Sequence, residues 1–395
     1  MELDVLFEVT VAKPWEGSRQ EAERRKFESV IQQTKLADKL GFRTAWCVEH
    51  HFREGRSHSS APEVLIGALS QVTKNIRLGF GVSLMPHGFG SPIRVAERVA
   101  TADVLSGGRI DWGTGRSTLS EQAGFGVPHG EVSKRQWADA VQSVTAMWRE
   151  DRFTWDSEFL QFPTPRPIVP KPVQGPHPPV WTAAVSEGSP ATAGKSGLGL
   201  LSFSILRPID EMARHIREYR AAAENPEPLT DVSLNRVAAY TLVHCAPTAA
   251  KAEENGAWEG VWWWYQNHAE LALEFDFPEM SQEERDAAFP LLKQRAEGQF
   301  DVKDFGGHDM VIVGDVEECT EKMKLYADAG ADQLICYSEF GHLSHEAVME
   351  NLELIGTKIL PVLKNYEPKR DRFTPSSGAA PSTSHTALAP GGVTR

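Results

Sequence analysis

Residues Phe42–Leu84 read FRTAWCVEHHFREGRSHSSAPEVLIGALSQVTKNIRLGFGVSL. The stretch opens on a strand, Phe42 to Val48, and leaves it through the polar run Glu49-His50-His51. A helix follows from Ala61 to Lys74, with Pro62 in the first turn, where a missing N–H costs nothing. A second strand, Ile76 to Leu84, closes the stretch. Strand, helix and strand in this order make one βαβ unit, and such a crossover implies parallel strands.

The same beat runs outward in both directions. Leu3 to Thr10 reads as a strand, and Gln20 to Leu40 as an amphipathic helix stopped by Gly41. Pro92 to Leu105 is a helix, Ile110 to Gly113 a strand and Ser133 to Glu150 a helix. Further strands are Pro179 to Val185, Leu198 to Phe203, Leu234 to His244 and Gln333 to Tyr337. The helices among them are Ser189 to Lys195, Pro208 to Ala223, Val316 to Ala329 and His345 to Leu363. Eight strands alternating with helices predict an α/β fold, most simply a TIM (β/α)8 barrel with insertions. An open doubly wound sheet is the alternative, but Thr10 to Gly17 lacks the G-x-G-x-x-G turn typical of it.

The expected organisation is one barrel domain over residues 1–367 and a disordered tail over 373–395. Two stretches break the beat: a proline-rich one at about 151–178, read as a hairpin and an extended loop, and an acidic one at about 270–308. The net charge of −13 over 395 residues argues against nucleic-acid or anionic-membrane partners, which need a basic surface. No apolar run of about 18 residues exists, and the acidic start Met1-Glu2-Leu3-Asp4 does not read as a signal peptide. Cys47, Cys245, Cys319 and Cys336 are widely spaced and read as reduced thiols. The expected setting is cytoplasmic, with no metal.

The densest polar cluster, Glu49-His50-His51-Phe52, falls where a barrel strand meets its catalytic rim. A histidine there suits proton exchange near neutral pH, although both rings can equally cap the strand or bond the backbone. Gly81, in Gly79-Phe80-Gly81-Val82, permits close approach of a planar ligand or simply eases packing. Gly115-Arg116 at another strand end suits an anion, and Arg135 opens the next helix; a surface ion pair is the alternative for each arginine. Ser186 and Ser189 lead into a helix, as ordinary caps or as phosphate donors. The aromatic run Trp258, Trp262, Trp263, Trp264 and Tyr265 lines an apolar pocket or packs an insertion. His308, His342 and His345 are given no role.

The ordered set of motifs resembles the bacterial luciferase-like, flavin-dependent monooxygenase family over Leu3 to Lys364. It is carried by the Glu49-His50-His51-Phe52 rim, by Asn75-Ile76-Arg77-Leu78-Gly79, by Asp103-Val104-Leu105-Ser106-Gly107-Gly108-Arg109 and by Val313-Gly314-Asp315-Val316-Glu317-Glu318-Cys319. The closing run Ile359 to Lys364 is similar as well. The resemblance implies a TIM barrel, usually a homodimer. It implies reduced FMN (FMNH2), supplied by a separate NAD(P)H:flavin reductase, and O2 as co-substrate through a flavin C4a-peroxide. It implies His50 as the proton-handling group and Gly81-Val82 as a non-proline cis peptide under the flavin. Gly115 falls beside the flavin ring, Arg116 and Arg135 on the phosphate-binding arginines, and Ser186 and Ser189 on the hydroxyl ligands. It implies a loop at 270–308 that closes over the flavin. Gly115 and Val185 depart from the pattern of luciferase itself, so light emission is not expected and the substrate, a small and apolar organic molecule, stays unnamed. A deazaflavin-dependent reductase on the same barrel and a non-catalytic flavin-binding subunit are the alternatives.

Overall fold

The computed structural model describes residues 1–184, 186–307 and 311–373. Its strands are β1 (Glu2–Phe7), β2 (Thr44–Cys47), β3 (Arg77–Leu84), β4 (Ile110–Gly115), β5 (Phe153–Asp156), β6 (Gln161–Arg166), β7 (Val180–Ala184), β8 (Gly199–Phe203), β9 (Val237–Cys245), β10 (Ile312–Gly314) and β11 (Gln333–Tyr337). The sheet order is β10-β9-β11-β1-β2-β3-β4-β7-β8, with β8 also paired to β9. Neighbours run parallel, as in Val5↔Ala45 and Leu78↔Ile110. The chain folds as a TIM (β/α)8 barrel. β5 and β6 form the separate antiparallel hairpin expected of the proline-rich stretch. β10 was not expected; its three residues pair with the end of β9, too short a run to show alternation.

Two compact units divide the chain. The first holds Asp4–Leu201 and Glu218–Val237, and the second Met1–Leu3, Ser202–Arg217 and the chain from Ala238 on. In the first unit, helix α1 (Arg19–Leu40) starts at a Ser18–Glu21 capping box and stops at Gly41 with φ 84°. α2 (Pro62–Val72) and α3 (Pro92–Ser106) follow their strands as read. A short helix, α4 (Leu119–Gly124), precedes α5 (Glu131–Arg149) and was missed.

The interior of the first unit is filled by indoles set against glycines. Trp46, Trp112 and Trp181 are fully buried, and the Trp46 and Trp181 rings meet edge to face at 5.7 Å. A Cβ on Gly79 would lie 2.2 Å from the Trp46 ring, and one on Gly199 2.5 Å from Trp181. Each indole N–H finds a buried acceptor: Trp46 donates to Asp4 Oδ2 at 2.9 Å, Trp181 to Asp111 Oδ1 at 3.2 Å and Trp112 to Ser83 Oγ at 3.3 Å. Arg77 Nε donates to Asp111 Oδ2 at 2.7 Å, so that charge is paired. All four cysteines are buried and free, and burial pushes the Cys47 thiol up to about 12, which makes it inert.

The second unit is held by Tyr240 stacked on Tyr337 and by a helix, Ala257–Leu271, whose Gly260 presses against Gly341. Among the described residues no helix is long and apolar enough to cross a membrane. The expected disordered tail lies outside the described residues from 374 on, as do His308 and Val185.

Glycines of β3 and β4 set a sharp steric test. A Cβ on Gly113 would meet the Phe80 carbonyl oxygen at 2.2 Å, and backbone cannot step aside. One on Gly81 would come no closer than 3.3 Å, to Trp46 Cβ. Gly113→Ala should therefore cost about 3 kcal/mol in denaturant unfolding and Gly81→Ala about 1 kcal/mol or less. Equal costs would contradict this packing.

Candidate active site

His50 and His51 follow β2 on a loop pinned by the backbone. His50 N–H donates to Ser59 O at 3.0 Å, and Ser59 Oγ donates to Val48 O at 2.7 Å. The two rings then diverge. His50 Nδ1 lies 3.0 Å from Glu121 Oε1, with its side chain 26% exposed. His51 Nε2 lies 3.4 Å from Glu49 Oε1, and its ring meets Phe125 edge-on at 4.7 Å. Glu49 Oε2 accepts from Leu84 N–H at 3.2 Å, which ties the end of β2 to the end of β3. Both rings thus engage carboxylates.

Glu121 is the group that sequence reasoning missed. It sits on α4 with a side chain only 1% exposed. His51 N–H donates to its Oε1 at 2.8 Å and Arg53 Nε at 3.1 Å. The Thr118 hydroxyl donates to Oε2 at 3.2 Å, and the Ser117 hydroxyl donates there as well. Burial pushes the carboxyl up. The charge and hydrogen bond of His50, the Arg53 guanidinium and the Ser117 hydroxyl outweigh burial and hold it well below the usual carboxylate range.

The Gly81–Val82 peptide is cis, as the resemblance implies. Val82 lies across β4: a Cβ on Gly115 would fall 2.4 Å from Val82 Cγ2. Glycine at 115 therefore makes room for Val82. Arg116 follows directly, part-buried, and Nη1 donates to Ser133 Oγ on α5 at 3.2 Å. Burial lowers the affinity of its guanidinium for the proton, with partial offset from Glu131. Among the described residues no carboxylate stands within ion-pair distance of it.

The other anticipated ligands are placed differently. Arg135 is exposed, pairs with Glu158 at 3.2 Å and lies over the Phe159 ring at 5.8 Å. The structure thus turns it toward the β5–β6 hairpin, whereas Arg116 stays at the strand end. Ser186 is exposed, and its carbonyl accepts from Ser189 N–H at 3.1 Å and Ser189 Oγ at 2.5 Å. Those two serines come together as a local turn into α6 (Ser189–Lys195). In the aromatic run Trp264 and Tyr265 are fully buried, Trp258 covers Gly306, and Trp262 faces Phe300. A cleft of about 640 Å³ in that unit is lined by Glu253, Trp258, Arg295 and Lys303 and holds none of the anticipated site residues.

Backbone strain also marks the strand ends. Among the described residues Val9, Phe52, Ser117 and Leu206 have positive φ without being glycine, at 55°, 61°, 69° and 54°. Each falls shortly after a barrel strand, β1, β2, β4 or β8. Such residues cost on the order of 1–3 kcal/mol and persist where surroundings over-determine them, often at sites.

The depressed Glu121 group has a signed consequence. A folded-state pKa below the unfolded value of about 4.3 gives stability that is complete above that value and lost as pH falls through the folded one. Glu121→Gln should lose on the order of 3 kcal/mol at pH 7. The gap to wild type should narrow steadily below about pH 5 in acid-to-neutral unfolding series. A gap that is constant with pH would refute the ionised carboxylate.

Comparison with known proteins agrees with this architecture. The profile described as luciferase-like monooxygenase matches residues 7–333. The oxygenase component of a flavin-dependent trigonelline monooxygenase from Acinetobacter baylyi is 25% identical over 369 residues, covering 91% of this chain and 96% of that one. The oxygenating constituent of 3,6-diketocamphane monooxygenase from Pseudomonas putida, solved with FMN, superposes with a TM-score of 0.68 at 20% identity, covering 94% of this chain and 100% of that one. The coenzyme F420-dependent tetrahydromethanopterin reductase of Methanopyrus kandleri superposes with a TM-score of 0.64 at 18% identity, covering 91% of this chain and 99% of that one. At such identities the two structures bear on the fold alone. The chain belongs to the luciferase-like monooxygenase family, as an enzyme of the flavin-dependent monooxygenase type.

Proposed function

We propose that the protein is an FMN-dependent monooxygenase of the two-component kind. In this reading it takes reduced FMN from a separate NAD(P)H:flavin reductase and uses O2 to place one oxygen atom in a small organic substrate. Arg116 carries the reading. A part-buried guanidinium at a strand end, bonded to a hydroxyl and lacking a carboxylate, is a poor structural ion pair and a good seat for a phosphate.

The residues present fit the cofactor. Arg116 and Ser133 would hold the phosphate, with Ser186 and Ser189 as further donors. Arg135 would join them only by releasing Glu158. The cis Gly81–Val82 segment and Gly115 would form the floor beside the ring. Bound reduced FMN supplies the electrons that activate O2. His50, open on one side and held by Glu121 on the other, gives or takes the proton that oxygen transfer requires. Trp264 is occupied in packing, and Trp258 lines a cleft that holds none of the anticipated site residues, so neither supports an apolar substrate.

Anaerobic titration of the cofactor-free protein tests this directly. Reduced FMN should saturate near one per chain and bind at least about tenfold tighter than reduced F420. Binding of F420 alone would favour hydride transfer on the same barrel, and binding of neither would overturn the proposal. Arg116→Ala should weaken FMN binding by about tenfold or more, and Arg135→Ala by about threefold or less. The reverse ranking would move the phosphate to Arg135.

A further inference from the structure

The geometry points to Glu121 as a positioning residue that fixes the tautomer of His50, so that Nδ1 carries the proton and Nε2 offers the lone pair. Both oxygens of Glu121 are saturated with donors. Oε1 of Glu121 accepts from His51 N–H at 2.8 Å and Arg53 Nε at 3.1 Å, and lies 3.0 Å from His50 Nδ1. Oε2 accepts from the hydroxyls of Ser117 and Thr118. An ionised carboxylate has no proton to give, so the contact with His50 is a hydrogen bond only if Nδ1 carries one. In the neutral ring the other nitrogen, Nε2, is then the base.

The frame leaves the ring little choice. His50 N–H is tied to Ser59 O at 3.0 Å, and Arg53 Nη2 reaches Thr118 Oγ1 at 3.1 Å, so the loop after β2 is braced against the start of α4. The ring edge that carries Nε2 lies opposite Glu121, and the side chain is 26% exposed, which leaves that edge for a reactant. A proton taken up at Nε2 makes an imidazolium whose charge forms 3.0 Å from a buried carboxylate, with no rearrangement of the site. Its return from Nε2 restores the neutral ring. This fixes which atom of His50 handles the proton. The functional meaning rests on the proposed role of His50, whereas the tautomer does not.

The test is the ring nitrogen spectrum of the cofactor-free protein labelled with 15N-histidine, with His50→Gln identifying the signals. Wild-type His50 in its neutral form should show the Nδ1–H tautomer, against the Nε2–H preference of free histidine. Glu121→Gln, which keeps a carbonyl acceptor, should retain it. Glu121→Ala should revert to Nε2–H. In turnover, Glu121→Ala should lower kcat about 100-fold with KM within about twofold, and Glu121→Gln should lose about tenfold. Wild-type His50 in the Nε2–H form overturns the inference, as does Glu121→Ala that keeps Nδ1–H. If Glu121→Ala does not fold, the wild-type and Glu121→Gln spectra decide. Because the spectrum needs no cofactor, failure to bind FMN would overturn the function and leave the tautomer standing, and the converse also holds.

Discussion

A carboxylate removed from water must find donors for both oxygens, and Glu121 finds them on two separate loops. One loop follows β2 and brings His50, His51 and Arg53. The other follows β4 and brings Ser117 and Thr118. Satisfying one buried charge therefore locks two strand ends together. The positive φ of Phe52 and Ser117 flanks this knot, which shows backbone geometry yielding to the side-chain bonds. His50 inherits its position from this constraint.

The barrel beneath gives the rim its rigidity. Tryptophans on β2 and β7 fill the first unit against glycines on neighbouring strands, and their N–H groups end on Asp4 and Asp111. The same exchange of bulk for glycine recurs at the top, where Val82 lies over Gly113 and Gly115. Size complementarity between adjacent strands thus runs from the packed interior to the residues that precede Arg116. A substitution that fills one of these glycines acts on the site through packing, without touching a reactant.

Much of this was legible in the sequence because strand and helix periods are local. The alternating beat and the Gly41 and Gly107 stops are visible in short windows, and so is the Glu49-His50-His51-Phe52 rim. The parts that were not legible depend on distant contacts. Glu121 occupies the third turn position of a Thr118–Glu121 capping box on a six-residue helix, so it reads as a routine cap. Its partner His50 lies 71 residues away in the chain. Gly115 reads as the flank of an anion-binding arginine, and its close contact with Val82 of the neighbouring strand is not visible along the chain. Arg135 matches a phosphate ligand in order along the chain, yet its nearest countercharge is Glu158 in the hairpin, which sequence spacing does not reveal. The tryptophan run reads in sequence as pocket or packing, and contacts with Phe300 and Phe305, more than 30 residues on, put Trp262 and Tyr265 in the packing.

Direct coupling between His50 and Glu121 holds the site together. A double-mutant cycle measures it: His50→Ala, Glu121→Ala and the pair, each followed by denaturant unfolding at pH 7. Coupling of about 1–3 kcal/mol is predicted, because the two side chains share one part-buried hydrogen bond to an ionised group. Costs that add to within about 0.5 kcal/mol would show the two groups to be independent and would contradict the account.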